Sequence, residues 1–452
     1  MAERMAIGEP ADLSASEAVE FMAQGALSAQ GLAEACLARI DSADARIGAW
    51  AQVDPHRAVL EARERDRRRA DGLPLPALHG VPVGLKDIID VRGLNTENGT
   101  PLDAGNRPSE DAGLVRRLRD AGAVIIGKTV TAELAYFHPG ATRNPHDPER
   151  TPGGSSSGSA AAVAAGMVPF AVGTQTNGSV IRPASFCGVV GYKPSFGAVP
   201  RSGILRAAPS LDQVGFFART VEDAALAGDL MGPDGDDADC HLNPGPLRTT
   251  ALSEPPLPPD LAMIETPFWE RTGVDTREGF AALLEVLGDH GTAAELPEVF
   301  GRGAGWLATV MAAEMARNLG HYLDRDPGQV SAAFKALIEQ GRSIQAVDYL
   351  AARDMQAVMR EALEPLFERF DAILTPAAPG EAPRDPDTTG DPIFCTLWTF
   401  CGLPAVTLPL LTGENGLPIG VQLVGPYGQD ARLLRTARWL ARQCAANVEE
   451  SQ

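Results

Sequence analysis

Residues 151–166 read TPGGSSSGSAAAVAAG, and the interpretation of the whole chain depends on this stretch. Three serines stand between glycines, directly before an alanine-rich run that predicts a helix. A flexible Gly/Ser linker would be flanked by polar, disordered sequence, whereas here a Pro-Gly-Gly turn precedes the serines and a packed helix follows them. Because a helix N-terminus presents free N–H groups, the stretch favours a functional site over a linker.

The surrounding sequence predicts an α/β fold. From residue 78 to residue 200, short apolar runs alternate with glycine, proline and helix-like segments, which is typical of buried strands joined by helices. Strand-like runs return near the C-terminus. They are DAILTPA (371–377), PAVTLPLL (404–411) and PIGVQLVG (418–425), followed by a predicted helix near 430–446.

The order of these segments favours one domain over residues 1–452. Residues 1–70 look helical, with Ser14 or Ser16 and then Ser28 as candidate caps, and residues 241–370 form a variable, largely helical segment. No repeat of 20–50 residues is evident. Since strand-like segments fall both early and late, we expect both ends of the chain to complete one sheet.

Composition limits the class of protein. The 452 residues carry a net charge of −20, from 59 acidic and 39 basic side chains, which argues against nonspecific binding to nucleic acid or an anionic membrane. No uncharged apolar run approaches the roughly 20 residues of a membrane span, and the N-terminus lacks a signal pattern. We therefore expect a cytoplasmic protein with no nucleic-acid or membrane partner.

The cysteines do not indicate a metal centre. None of the six forms C-x-x-C, and no Cys/His set has zinc-finger spacing. They are interpreted as buried or incidental thiols in a reducing compartment. The sequence therefore predicts no metal site.

One motif match is rejected. Residues 122–129, GAVIIGKT, fit the phosphate-loop pattern G-x-x-x-x-G-K-[ST]. A phosphate loop must follow a strand and curl its N–H groups into a nest, but Ala123 to Ile126 are mostly strand formers. We expect Lys128 and Thr129 to end a buried strand.

Two other stretches also place a candidate catalytic side chain at the end of a turn or of an apolar run. GTQTNGS (173–179) places a serine after a tight turn, and HGVPVGLKD (79–87) places Lys86 at the end of an apolar, strand-like run. Burial lowers the pKa of an amine, and a neutral amine beside a hydroxyl activates a nucleophile. A Ser-His-Asp site is the alternative, because residues 154–158 match G-x-S-x-G. No strand precedes that match, so lysine is preferred to histidine as the base.

Taken together, these stretches make the chain resemble the amidase-signature hydrolases along nearly its whole length. The resemblance implies the amidase signature fold, a large central mixed twisted β-sheet covered by helices on both faces. The matching pieces are HGVPVGLKD (79–87), GAVIIGKT (122–129), NPHDPERTPGGSSSGSAAAVAAG (144–166), GTQTNGSVIRPASFCGVVGYKPSFG (173–197), DAILTP (371–376), and CGLPAVTLP with GLPIGVQLVG within 401–425.

The resemblance implies a Ser–cis-Ser–Lys triad. Ser179 corresponds to the nucleophile, Ser155 to a bridging serine held by a cis peptide bond, and Lys86 to the base; the interval of 24 residues between the serines agrees with the family. The oxyanion would be received by backbone N–H groups of Thr176, Asn177, Gly178 and Ser179. The reaction would proceed through an acyl-enzyme, without a metal or organic cofactor.

Two departures from the family pattern bear on the substrate. Gln175 and Asn177 replace the Asp and Gly of G-T-D-T-G-G-S, and Asn177 is expected to tolerate positive φ while narrowing the pocket. Arg182 stands three positions after Ser179 instead of two, which resembles the malonamidase-type branch, where this arginine grips a carboxylate. The predicted substrate is a small, malonamate-like amide, with a structural ion pair as the alternative role for Arg182.

Several rival functions remain open. One is the amidase subunit of a glutamine-dependent transfer-RNA amidotransferase, and another is a biuret or carboxybiuret hydrolase. An inactive binding module of the same fold is a third. Pocket walls are expected near 136–140 and 305–400, with Tyr136, His138, Trp306 and Trp398 as candidates, and the resemblance makes a homodimer plausible.

Overall fold

A computed structural model of the protein describes residues 8–233 and 239–450. These residues build one mixed sheet of 11 strands in the order β1-β3-β2-β4-β6-β5-β10-β11-β9-β7-β8. The strands are β1 (Trp50–Val53), β2 (Pro82–Lys86), β3 (Val124–Thr129), β4 (Phe170–Gln175), β5 (Val190–Lys193), β6 (Gln213–Ala218), β7 (Leu261–Ile264), β8 (Gly291–Ala294), β9 (Ala372–Pro376), β10 (Ala405–Thr412) and β11 (Pro418–Val424).

Helices cover the sheet, and the first two begin at serine caps. Ser14, not Ser16, caps the first helix by accepting a hydrogen bond from Glu17 N in a capping box, and Ser28 caps the second through Gly31 N. The α-helices are α1 (Ala15–Ala23), α2 (Ala29–Ile47), α3 (Pro55–Ala70), α4 (Gly113–Asp120), α5 (Ser157–Ala164), α6 (Ile181–Cys187), α7 (Val221–Ala225), α8 (Leu247–Leu252), α9 (Val274–Leu287), α10 (Gly303–Arg325), α11 (Ala332–Ser343), α12 (Ala346–Glu361), α13 (Glu364–Phe367), α14 (Ile393–Phe400) and α15 (Asp430–Glu450).

Both faces of the sheet are buried. Phe170 and Val172 of β4 pack into the core beneath α4, α7, α9 and α15, whereas Ala171 between them faces the core of α2, α3, α5 and α6. In β9, Ile373 likewise faces a third core, built mainly by α10, α11, α12 and α14. Because successive strand residues point to opposite faces, helices lie on both sides. The predicted α/β fold with a large mixed sheet is confirmed.

Both ends of the chain contribute to this sheet. β5 pairs antiparallel with β10, so strands from the C-terminal part lie directly beside those from the first half. That arrangement supports the single-domain interpretation. The run GAVIIGKT contains β3, and Lys128 ends buried and paired with Asp87 at 2.8 Å, as expected once the phosphate loop is rejected.

Four strands were not anticipated. β1 interrupts the helical N-terminal segment, β6 follows the early strands, and β7 and β8 lie within the segment 241–370 that the sequence predicts to be largely helical. β8 reads Gly-Thr-Ala-Ala and pairs only with β7, so it carries none of the bulky β-branched alternation that marks a strand. Tertiary pairing, not local propensity, makes these residues extended.

Two further findings concern the described residues. Among them, no helix combines the length and the apolar character that a membrane crossing requires. Nor do any three His, Cys, Asp or Glu side chains in this part of the chain come together as a metal site. No disulfide joins any of the six cysteines, all of which lie in the described residues, and five of them are buried.

Candidate active site

The three consecutive serines have three different environments. Ser155 Oγ accepts a hydrogen bond from Lys86 Nζ at 2.7 Å. Ser156 Oγ donates to Thr174 O and accepts from Thr174 N, at 3.0 and 3.1 Å, which ties the start of the helix to β4. Ser157 is the first residue of α5. The stretch is therefore a rigid junction, and Ser155 alone of the three faces the lysine.

Two glycines make this junction possible. Gly153 and Gly154 have φ of 81° and 59°, in the left-handed region that favours glycine. A Cβ on Gly154 would lie 3.1 Å from Ser179 Cα, so the two loops are in direct contact. The cis bond implied for Ser155 is not found, because every peptide bond in the described residues is trans. The left-handed glycines turn the chain so that Ser155 reaches Lys86 across a trans peptide.

Lys86 ends β2 and is fully buried. Besides its bond to Ser155, its Nζ donates to Thr174 Oγ1 at 2.8 Å. Burial lowers the pKa of Lys86 to about 7, against an effect of Asp212, whose charge raises it. A large fraction of the amine is consequently neutral at neutral pH, and its lone pair can take the proton of Ser155.

The turn 176–179 joins β4 to α6 and presents its backbone inward. Within the described residues, none of its four N–H groups donates to a protein acceptor. The next two, Val180 N and Ile181 N, are held by Gln175 Oε1 at 2.8 and 3.0 Å. Free N–H groups grouped beside a serine hydroxyl are what an oxyanion hole requires.

Hydrogen bonds to the protein hold the side chains of both Gln175 and Asn177. Gln175 also donates to Thr399 Oγ1 at 2.7 Å, so its side chain caps α6 and does not line the pocket. Asn177 Oδ1 accepts from Thr396 Oγ1 at 2.8 Å. Asn177 is not among the described non-glycine residues with positive φ, so the turn does not use the positive φ that Asn177 was expected to tolerate. The contact with α14 holds its side chain.

Ser179 is 9% exposed and lines a pocket with Arg182. No hydrogen bond joins its hydroxyl to that of Ser155 within the described residues, although Gly154 brings the two loops together. The Lys86–Ser155 part of the expected relay is thus formed, and its last link to Ser179 is a proposal. None of the seven histidines lines this pocket.

The pocket wall comes from the expected regions but not from all the expected residues. Tyr136 and Phe137 lie on one side, and Met311 and Met315 of α10 on another. Of the four candidate wall residues only Tyr136 is present. Trp398 is instead fully buried in the core beneath α10. Methionines at helical spacing gave no distinguishing signal in the sequence, since core methionines have the same pattern.

Arg182 is a buried cation in this pocket. Its side chain is 2% exposed, and its guanidinium lies 5.9 Å from the Phe137 ring centroid. Nη2 donates to Thr389 Oγ1 at 3.3 Å, while Nε and Nη1 have no partner. Burial lowers the pKa of Arg182 to about 10, so it stays charged at neutral pH. No ion pair within 4 Å involves it in the described residues, which argues against the structural ion pair.

Sequence reasoning missed three polar residues of the site. Thr174 lies inside the GTQTNGS stretch and could have been suspected there. Asp212 accepts from Thr176 Oγ1 at 2.6 Å, and Thr389 contacts Arg182 from more than 200 positions along the chain. Only the fold brings the last two to the site.

Known proteins resemble this chain along almost its full length. A model of the amidase family matches residues 31–434. A glutamyl-tRNA(Gln) amidotransferase subunit from Anaeromyxobacter sp. (strain K) is 36% identical, covering 95% of this chain and 96% of the relative. AtzE, the 1-carboxybiuret hydrolase subunit of Pseudomonas sp. (strain ADP), is 34% identical, covering 94% and 97%. A solved, inhibitor-bound structure of a vestigial protein complex, bearing on the evolutionary origins of an s-triazine catabolic enzyme, matches with a TM-score of 0.89 and 32% identity, covering 95% and 98%.

Proposed function

Because the chain belongs to the amidase family and is therefore an amide-hydrolysing enzyme, we propose that its substrate is a small amide carrying a carboxylate, such as a malonamate-like acid. The observation that carries this proposal is Arg182, a buried charge with two unpartnered nitrogens in the pocket of Ser179. The reaction uses Lys86, Ser155 and Ser179 and releases ammonia or an amine.

The relay of Lys86, Ser155 and Ser179 first takes a proton away from Ser179 and later returns a proton to the leaving nitrogen. Neutral Lys86 accepts the proton of Ser155 while Ser155 accepts that of Ser179, whose oxygen then bonds to the amide carbon. As the C–N bond breaks, the proton returns along the same path to the leaving nitrogen. Water repeats the sequence on the acyl-enzyme and releases the acid. The 2.7 Å contact between Lys86 Nζ and Ser155 Oγ is the supporting geometry.

The turn around Ser179 receives the negative charge that develops on the carbonyl oxygen. Its free N–H groups, those of Thr176, Asn177, Gly178 and Ser179, are fixed before the substrate arrives because Gln175 and α14 hold the turn. Removing one donor from such a preorganised site typically costs about 10²–10³ in kcat.

Arg182 recognises the substrate carboxylate. A guanidinium pairs with a carboxylate through two parallel hydrogen bonds. Nη1 is unpartnered, and Nη2, which donates one hydrogen to Thr389 Oγ1, has a second hydrogen for the other bond. The apolar side chains of Phe137, Met311 and Met315 line the pocket beside this pair, and a low local dielectric strengthens such a charged hydrogen bond. Burial of a cation is costly, and the charge of Asp391 offsets only part of that cost for Arg182, so binding the anion relieves it further.

A carboxybiuret-type hydrolase is the second candidate, and the same observation favours it. A carboxylated ureide has an amide carbonyl and a carboxylate on a small frame, which is the combination that Arg182 and Ser179 accommodate. Glutamine fits less well, because no acidic side chain lines the pocket in the described residues to bind its ammonium group. Neither a transfer RNA partner nor an inactive binding role is therefore proposed.

An amide panel with ammonia detection tests the proposal. The substrates are malonamate, a neutral amide of equal size, carboxybiuret and glutamine, each with the wild-type enzyme and with Lys86→Ala and Ser179→Ala. We expect turnover on the carboxylates and about 10⁴-fold or greater losses in both variants. A fluorophosphonate probe should label Ser179 in the wild type. Full activity of the Lys86→Ala variant would exclude the mechanism.

The Arg182→Ala variant distinguishes a role of Arg182 in substrate recognition from a role in the structure of the protein. On malonamate, kcat/KM should fall about 10- to 100-fold, the value of a hydrogen bond to a charged group, while the neutral amide is affected much less. Arg182→Lys, which keeps the charge but not the planar fork, should give an intermediate loss. An equal loss on both substrates would show that Arg182 acts only on the structure.

A further inference from the structure

A carboxylate lies beside the relay without belonging to it. Asp212 precedes β6, and its Oδ1 accepts a hydrogen bond from Thr176 Oγ1 at 2.6 Å. Its Oδ2 accepts from Ala207 N and Ala208 N at 3.0 and 2.9 Å. Burial raises the pKa of Asp212, whereas the bond from Thr176, the positive charge of Arg201 and the two backbone donors lower it by favouring the charged form.

The same carboxylate acts on Lys86 through its charge. Thr174, whose Oγ1 accepts from Lys86 Nζ at 2.8 Å, lines one small cavity together with Thr176 and Asp212. This cavity of about 20 Å³ has room for a single water molecule. Thr174 therefore contacts both the amine and the cavity that Asp212 lines with Arg201, Arg206 and Asp239. The charge of Asp212 acts to raise the pKa of Lys86.

Other charged groups near β2 do not face the amine. Lys128 of β3 is in register with Leu85, so its side chain lies on the opposite face of the sheet from Lys86. There it pairs with Asp87 at 2.8 Å. From β4 and α5, the groups that reach Lys86 are hydroxyls. Among the described residues, Asp212 is the charged group that acts on it.

We propose that Asp212 is a positioning residue for amide hydrolysis, which holds Thr176 in the oxyanion turn and favours the ammonium form of Lys86 as the proton leaves Ser155. The inference rests on the proposed function, in which Lys86 is the base. One carboxylate thereby links the two ends of the reaction, the group that takes the proton and the turn that takes the negative charge.

Asp212→Asn tests the electrostatic role, because it removes the charge and keeps an oxygen for Thr176. Its amide nitrogen then replaces the acceptor of Ala207 N and Ala208 N, so the shift of the pH profile, not the height of the plateau, is the readout of the charge. The acidic limb of the kcat/KM profile on malonamate should move to lower pH by about half a unit or more, with a lower plateau. Glu314→Gln is the matched control. Glu314 accepts a hydrogen bond from Ser210 N of the same loop at 2.9 Å but does not act on Lys86. The acidic limb of the kcat/KM profile of Glu314→Gln should therefore lie at the same pH as that of the wild type. An unmoved limb in Asp212→Asn would overturn the inference.

Thr176 variants test the positioning role without changing the carboxylate. Thr176→Val should lower kcat about tenfold with little change in KM, and Thr176→Ser should restore it, since serine keeps the hydroxyl. Equal rates for these two variants would also overturn the inference. Lys86→Ala run in parallel identifies what failed: if it is inactive while the Asp212 and Thr176 variants behave as the wild type, only the Asp212 inference falls, and if it is active, the proposed function falls with it.

Discussion

Lys86 should determine how the reaction rate depends on pH. Burial lowers the pKa of this amine to about 7 from 10.5, and only its neutral form can accept a proton. The value of kcat/KM on malonamate should therefore rise as pH increases through about 7 and level off above it. Initial rates of ammonia release between pH 5 and 9.5 measure this, and the substrate carboxylate stays ionised throughout. A rate that does not change over that range would contradict the assignment of Lys86 as the base.

At the scale of single residues, sequence motifs predicted chemistry better than conformation. Lys86, Ser155 and Ser179 were placed in the site by their motifs, and the structure brings the first two within hydrogen-bond distance. The cis bond at Ser155 was carried over by resemblance, and the tolerance of positive φ at Asn177 was inferred from its residue type; the described residues show neither a cis bond nor a positive φ at Asn177. A motif fixes which side chains meet, but backbone dihedrals depend on contacts such as the one between Asn177 and α14.

At the scale of elements, Gln175 holds the beginning of α6. Gln175→Leu removes the acceptor of Val180 N and Ile181 N, which are then buried without partners. This should lower the free energy of unfolding by about 1–3 kcal/mol, and kcat/KM should also fall because α6 carries Arg182. Gln175→Glu keeps an acceptor oxygen and should lose less. Urea titration and ammonia release measure both, and identical losses in the two variants would contradict the capping role.

The close approach of α5 to the sheet requires a glycine. A Cβ on Gly158 would lie 2.4 Å from both Ala49 O and Val130 N, so Gly158→Ala should push α5 outward and displace Ser155. The free energy of unfolding should fall by about 1–3 kcal/mol or more, and most of the activity should be lost. Gly305 of α10 is the matched control, because it is exposed and a Cβ there meets nothing within 4 Å. Gly305→Ala should stabilise the protein by about 1 kcal/mol. Urea unfolding compares them, and equal effects would exclude the packing argument.

Elements with strong local signals were predicted from the sequence, and those formed by pairing were not. α1 and α2 begin at their serine caps, and β9, β10 and β11 follow their apolar runs closely. β1 and β8 are four-residue strands at the two edges of the sheet. Their extended conformation comes from one neighbouring strand each, and that neighbour is not visible in a local window.

For the whole molecule, strand order was beyond the reach of the sequence. That both ends would share a sheet could be expected, but the strand order could not. The insertion of β10 and β11 between β5 and β9 depends on the pairing of β5 with β10, whose partners such as Lys193 and Ala405 are 212 residues apart, and on the pairing of β11 with β9. The predicted homodimer stays a prediction, which light scattering of the purified chain would check. The pairing of β5 with β10 makes the folding of the two halves interdependent.

Substitutions of Asp430 test whether the two halves of the chain fold together. It begins α15 and, fully buried, accepts hydrogen bonds from Tyr192 Oη, Ser195 N and Ser195 Oγ at 2.8, 2.8 and 2.7 Å, which joins the last helix to the end of β5. Asp430→Ala leaves these donors unpaired and should cost about 3 kcal/mol or more, with a smaller loss for Asp430→Asn, which keeps one acceptor oxygen. If the chain is one domain, urea should abolish circular dichroism and amide hydrolysis in a single coincident transition, and Asp430→Ala should move both midpoints together to lower urea. Two separate transitions, with only one of them shifted, would show instead that the halves fold independently.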